Sequence, residues 1–137
     1  MRYLLDTDIC IYYINGFEPE VREKIHQLSA SDIVVSAITK CEMYAGSSGS
    51  KIPARSRAEQ DFFLRHFISL PFDDLAADKY GEIYAELKRG GKLIEKLDIQ
   101  IAAITLVHNL TLVTHNTRHY SRVPNLAIED WTIDSAS

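Results

Sequence analysis

Nowhere does this sequence run to the ~20 consecutive apolar residues that a membrane helix needs. The first residues lack the charged, apolar and small-residue succession of a secretory signal, so the expected setting is the cytoplasm. Cysteine is scarce. Cys10 and Cys41 are expected as reduced thiols that fill space as small apolar side chains, and two cysteines alone do not make a zinc site. A basic excess is missing too: 15 Lys and Arg face 19 Asp and Glu, a formal net charge of -4. That argues against a protein that coats nucleic acid, which is usually basic. It leaves room for an enzyme whose acids gather at one point, where a bound cation reverses the local field. There is no internal repeat, low-complexity tract or interdomain linker, so residues 1–137 read as one domain with a full core.

What is present is alternation. Leu4-Leu5 reads as a short strand, followed by a helix from about Asp8 to the stop pair Asn15-Gly16. Val21, Ile25 and Leu28 recur at helical spacing after Pro19, and Ile33-Val34-Val35 is a β-branched strand. Ser36 is placed to cap the next helix, which carries Ile38, Cys41, Glu42 and Tyr44 and is expected to end near Gly46. A helix is expected over Arg55 to Phe67, then a strand from Ile68 through Pro71-Phe72, then a helix from Leu75 to Arg89, broken by Gly90-Gly91. A helix from Leu97-Asp98 to about Asn109, a strand from Leu110 to Thr114, and a late strand at Ala127-Ile128-Glu129 complete the series. Strands alternating with helices imply an α/β fold, a mostly parallel sheet covered on both faces.

The acids fall at telling places. In parallel α/β sheets, ligands bind at the carboxyl ends of the strands. Asp6 ends the first strand, Glu42 lies two turns beyond the second, Asp98 opens a helix after the glycine break, and Asn116 follows the fourth strand. Singly, each acid is more often a cap or a solvated residue. Asp8, in a first helical turn, is best read that way. Together they form a set that repels itself unless something offsets the charge. A hard divalent cation does so, and oxygen-only ligands suit Mg²⁺ or Mn²⁺, which activates water and stabilises charge on phosphate.

Other patterns carry less. Gly46-Ser47-Ser48-Gly49-Ser50-Lys51 lacks the spacer and the Ser/Thr ending of a phosphate loop. His115 and His119 have the spacing of a zinc pair but no third ligand nearby. Thr117, Arg118 and Arg122 stand beside the acids as candidate phosphate contacts, a structural ion pair being the equal alternative for Arg118. Two basic stretches, one from Lys51 to Arg65 and one from Lys88 to Lys96, are either RNA-facing or simply solvated.

Taken in order, LLDTDICIYYI, VVSAITKCEMYAG, LDIQIAAITL and LVTHNTRHYSRVPNLAIEDW resemble the PIN-domain ribonucleases, and more narrowly the VapC toxins of bacterial toxin–antitoxin pairs. The resemblance covers nearly the whole chain. It implies a three-layer α/β/α PIN-like domain, Mg²⁺- or Mn²⁺-dependent cleavage of structured RNA such as tRNA or rRNA, a homodimer, and inhibition by a VapB-like antitoxin. By position, Asp6, Glu42 and Asp98 match the family's three principal acids, and Thr7 a polar position of its motif. Asn116 stands where the family commonly has a fourth acid, Asp8 where it often has Asn, and Glu95 where many relatives have Gly. Asn116 supplies an oxygen but no charge. An aspartyl-nucleophile phosphatase, suggested by Asp6-x-Asp8, and a degenerate partner-binding domain are the alternatives.

Overall fold

The chain is described here by a computed structural model covering residues 1–133. Its strands are β1 (Tyr3–Leu5), β2 (Ile33–Ser36), β3 (Ile68–Leu70), β4 (Thr111–Val113) and β5 (Ala127–Glu129). Its α-helices are α1 (Thr7–Asn15), α2 (Pro19–Gln27), α3 (Ala37–Ser48), α4 (Pro53–Leu64), α5 (Asp74–Arg89), α6 (Lys96–Val107) and α7 (Thr117–Tyr120), with a 3-10 turn at Ala30–Asp32. The five strands form one sheet in the order β3-β2-β1-β4-β5, and every pairing is parallel.

Side chains alternate across the sheet, as a strand requires. Leu4, Val34 and Leu112 face one way, onto Ile83 and Leu87 of α5 and Ile101 and Ile104 of α6. Tyr3, Leu5, Val35 and Val113 face the other, onto Ile9 of α1, Val21 and Ile25 of α2, Met43 of α3 and Phe63 of α4. The three strands β1, β2 and β4 are almost wholly buried, which explains their unbroken apolar sequence. The result is the expected three-layer α/β/α arrangement.

Several boundaries have visible causes. Gly16 adopts φ 74°, a left-handed C-terminal cap that closes α1. The buried Ser36 hydroxyl accepts from Thr39 N at 3.1 Å and starts α3. Asp73 does the same for α5 through Ala76 N, 3.0 Å away. Three expectations are corrected. Helix α3 runs past Gly46 to Ser48, because the Ser47 and Ser48 hydroxyls both donate back to the Tyr44 carbonyl, at 3.0 and 2.9 Å. β3 stops at Leu70, before Pro71, which has no N–H for the ladder. Cys41 is exposed on the outer side of α3; Cys10 alone is a buried apolar filler, and both thiols are free. No helix among the described residues is long and apolar enough to cross a membrane.

Candidate active site

Because β1, β2 and β4 are adjacent and parallel, their carboxyl ends open on one edge. Asp6 leaves β1 there and occupies the N-cap position of α1, in extended backbone conformation. The residue as a whole is only 5% exposed. Oδ1 accepts from Thr7 N at 2.9 Å and from the Tyr120 hydroxyl at 3.2 Å, and Oδ2 accepts from the Thr114 hydroxyl at 2.8 Å. Burial first, then the charge of Asp8, push the Asp6 carboxyl up to about 7, although the hydrogen bonds from Thr114 and Thr7 work the other way. An acid held at this cost is a candidate for function.

Asp98 lies in the first turn of α6, half-buried, and its Oδ1 accepts from the same Tyr120 hydroxyl at 3.2 Å. Burial raises its carboxyl as well. The Tyr120 hydrogen bond opposes that rise, and the charge of Glu42 adds to it. Glu42, on α3, is held through Thr7, whose hydroxyl donates to Oε1 at 2.7 Å and lies 3.0 Å from the Thr39 hydroxyl. Two hydroxyls therefore organise three acids. Thr7 ties Glu42 to the start of α1, and Tyr120 joins Asp6 to Asp98 with one phenolic proton between them. Tyr120 is fully buried, and burial together with both carboxylates drives its phenol far above the ordinary tyrosine range.

Sequence reasoning missed Tyr120, Thr114 and Thr39 as parts of this site. The available signal was chemical: a tyrosine at helical spacing after a buried strand, whose hydroxyl must find a partner when buried.

Asn116 makes no hydrogen bond to the acids among the described residues. It holds the N-cap position of α7 without a side-chain capping bond, and its backbone N–H donates to Thr114 Oγ1 at 2.9 Å. Its Oδ1 accepts from His119 Nδ1 at 2.7 Å. Asn116 thus meets Asp6 only through Thr114. His115 pairs instead with Asp130, 3.0 Å away, so the two histidines face different partners and form no zinc pair. Asp8 does more than favour the helix dipole. Its Oδ2 accepts from His115 N at 3.1 Å, tying α1 to the exit of β4, while its Oδ1 is buried without a partner.

The arginines divide as well. Arg118 is exposed and makes no ion pair among the described residues, whereas Arg122 donates to the Leu93 carbonyl at 3.3 Å. The first basic stretch is largely neutralised by its own helix: Arg55 pairs with Glu59 and Arg57 with Asp61, while Arg65 lies over the Phe62 ring.

The donor set suits a hard divalent cation, being oxygen throughout. Among the described residues no three acidic, histidine or cysteine side chains stand close enough to enclose an ion unaided. That fits a cation that would touch one or two of Asp6, Glu42 and Asp98 directly and meet the rest of the set through its own waters, the usual habit of Mg²⁺. A cation would also offset the burial, and with it the acid–acid repulsion, that raise Asp6 and Asp98.

Comparison with known proteins places this geometry in context. The family model described as PIN domain matches residues 3–126. Ribonuclease VapC2 of Haemophilus influenzae is 38% identical over 131 residues, covering 96% of this chain and 98% of that protein. The tRNA(fMet)-specific endonuclease VapC of Shigella flexneri is 35% identical over 132 residues, covering 96% of this chain and 99% of its own. Among solved structures, DNA-bound VapBC from Salmonella typhimurium superposes with a TM-score of 0.91 at 33% identity, covering 96% of this chain and 98% of that one.

Proposed function

The chain belongs to the PIN-domain family, among the VapC ribonucleases, and we propose that it is the RNA-cleaving toxin of a toxin–antitoxin pair, working in the cytoplasm. The observation that carries this reading is the convergence of Asp6 and Asp98 on Tyr120, with Glu42 held beside them by Thr7. Asp6, Glu42 and Asp98 would hold Mg²⁺ or Mn²⁺. When bound, such an ion neutralises charge on a backbone phosphate and makes water a competent nucleophile.

The chain's own residues do the rest. Tyr120 and Thr114 fix the Asp6 carboxylate, and Thr7 fixes Glu42, so that the acids meet the substrate preorganised. Arg118, exposed on α7 and without an ion pair among the described residues, is the residue proposed to neutralise phosphate, and Asn116 orients His119 at the rim. Direct attack by water leaves 5′-phosphate and 3′-hydroxyl ends. Structured RNA is the expected substrate, and tRNA is favoured by the likeness to the tRNA(fMet)-specific endonuclease VapC of Shigella flexneri. The aspartyl-phosphatase alternative is disfavoured by its own motif, which wants Thr or Val two residues past the second Asp, where Cys10 stands.

For the antitoxin the fold offers a cleft of about 950 Å³ between α1, α2 and α4, lined by Tyr13, Ile25, Phe63 and a 60% exposed Phe62. Neighbouring structures are VapBC complexes, so an apolar segment of a VapB-like partner is the occupant proposed for it. A homodimer is proposed from the same relationship. The test is to induce this chain alone in bacterial cells, with Asp98→Asn as control, and map new 5′ ends across all RNA. Discrete new ends for the wild type alone are expected. Identical maps for the two proteins would refute the reading.

A further inference from the structure

Beside the acids lies a second, smaller cleft of about 470 Å³, walled by the residues before α6 and by the α7 end of the molecule. Its lining includes aliphatic surface: Leu93 and Leu97 are 41% and 43% exposed among the described residues. Its walls carry His119, Arg122 and Lys96. The His119 ring is held by its 2.7 Å bond to Asn116, and the Arg122 guanidinium by the Leu93 carbonyl at 3.3 Å, so both planar groups are presented at fixed positions. Planar cationic and aromatic groups beside aliphatic surface suit an unstacked base with its phosphate.

Glu95 stands at the same rim and is unexplained by the fold. It holds the N-cap position of α6, where its carbonyl accepts from Ile99 N at 3.1 Å, yet its side chain makes no capping bond, no other hydrogen bond and no ion pair among the described residues. A carboxylate repels phosphate, so its place in a basic cleft is useful only towards donors on a base. The cleft adjoins the acid site, because Lys96 and Leu97 in its lining directly precede Asp98 in the first turn of α6. Its volume is at the small end of the range for ligand pockets, room for one nucleotide rather than a helix.

We propose that this cleft is a nucleotide subsite of the ribonuclease, taking one unpaired nucleotide next to the cut phosphate, with Glu95 accepting hydrogen bonds from the amino edge of its base. Guanine fits best, since its N1–H and N2–H lie side by side and match the two carboxylate oxygens. Cytosine and adenine offer an amino donor each, and uracil offers no amino group. Arg122 and Lys96 take the adjoining phosphate and carry no base information.

The inference rests on the ribonuclease reading, but it is tested by binding. The full chain carrying Asp6→Asn, which cannot cut, is titrated with fluorescein-labelled single-stranded heptamers of uridine with G, C, A or U at the centre. Anisotropy should rank G tightest and U weakest, about tenfold apart, as one good base contact gives. Adding Glu95→Gln should shrink the spread below about threefold. Adding Arg122→Ala should instead weaken all four RNAs alike and lower the salt slope by about one phosphate, with Arg122→Lys restoring it. Equal binding of the four RNAs, or a guanine preference that survives Glu95→Gln, overturns the subsite. Failure of the ribonuclease reading itself shows elsewhere, as RNA left uncut by the wild-type chain with Mn²⁺.

Discussion

Asp6 shows at the scale of one residue how function opposes stability. Its carboxyl titrates near 7 in the fold against an ordinary value of 3.8. Between those two values the folded chain holds a proton that the unfolded chain has released. Stability from this group is therefore greatest at low pH and falls as pH rises through about 7. Asp6→Asn is expected to abolish cleavage and yet stabilise the cation-free protein. Its advantage in urea melts with EDTA should grow by roughly 2–3 kcal/mol from about pH 5 to about pH 8. An advantage that does not change with pH would contradict the burial argument. Tyr120 is tested by Tyr120→Phe, which keeps the packing and removes the shared proton. Outer-shell partners of metal ligands are worth about 10–100-fold in affinity. The Mn²⁺ concentration for half-maximal cleavage should rise about tenfold while the saturated rate stays nearly unchanged. An unmoved titration would make Tyr120 a packing residue only.

At the scale of elements, the site depends on where α1, α3, α6 and α7 begin, since each carries one of its parts within its early turns or at its cap. The sharpest case is α3. Ser36→Ala removes a buried cap, which costs about 1 kcal/mol by the usual measure. It should also loosen Glu42, lowering cleavage more than the modest stability loss explains; thermal melts and cleavage rates taken together decide this. Much of this layer was readable in the sequence. β-branched runs, the Asn15-Gly16 stop and the Ser36 cap identified the elements, and the strand-end rule placed Asp6, Glu42 and Asp98 near one another. What was not readable is what pairs over long sequence distance. The bonds of Asp6 to Thr114 and Tyr120 join residues 108 and 114 positions apart, and no local pattern announces them. The end of α3 was misplaced because two serine hydroxyls satisfy a carbonyl where glycine suggested a break. The neutral Asn116 was readable as a departure, but its engagement with His119 rather than with the acids was not.

For the whole molecule, the two clefts are proposed to divide the work. The large apolar one between α1, α2 and α4 is lined by residues of the opposite face from α5 and α6, while the small basic one adjoins Asp98. A partner filling the apolar cleft should protect Phe62. Phe62→Asp is therefore expected to abolish inhibition by co-expressed antitoxin while leaving RNA cleavage intact, read out as growth arrest that the antitoxin no longer relieves. Relief equal to that of the wild type would remove this cleft from the partner interface.

The proposed reaction needs a hard cation bound among Asp6, Glu42 and Asp98, and one measurement meets that requirement directly. Purified chain is stripped with EDTA, and cleavage of a tRNA pool is followed as Mn²⁺ is returned, for the wild type and for Asp98→Asn. The wild type should be silent after chelation and regain full activity with Mn²⁺, and Asp98→Asn should stay silent throughout while keeping a native circular dichroism spectrum. Cleavage that survives exhaustive chelation, or that Asp98→Asn performs at the wild-type rate, would contradict it.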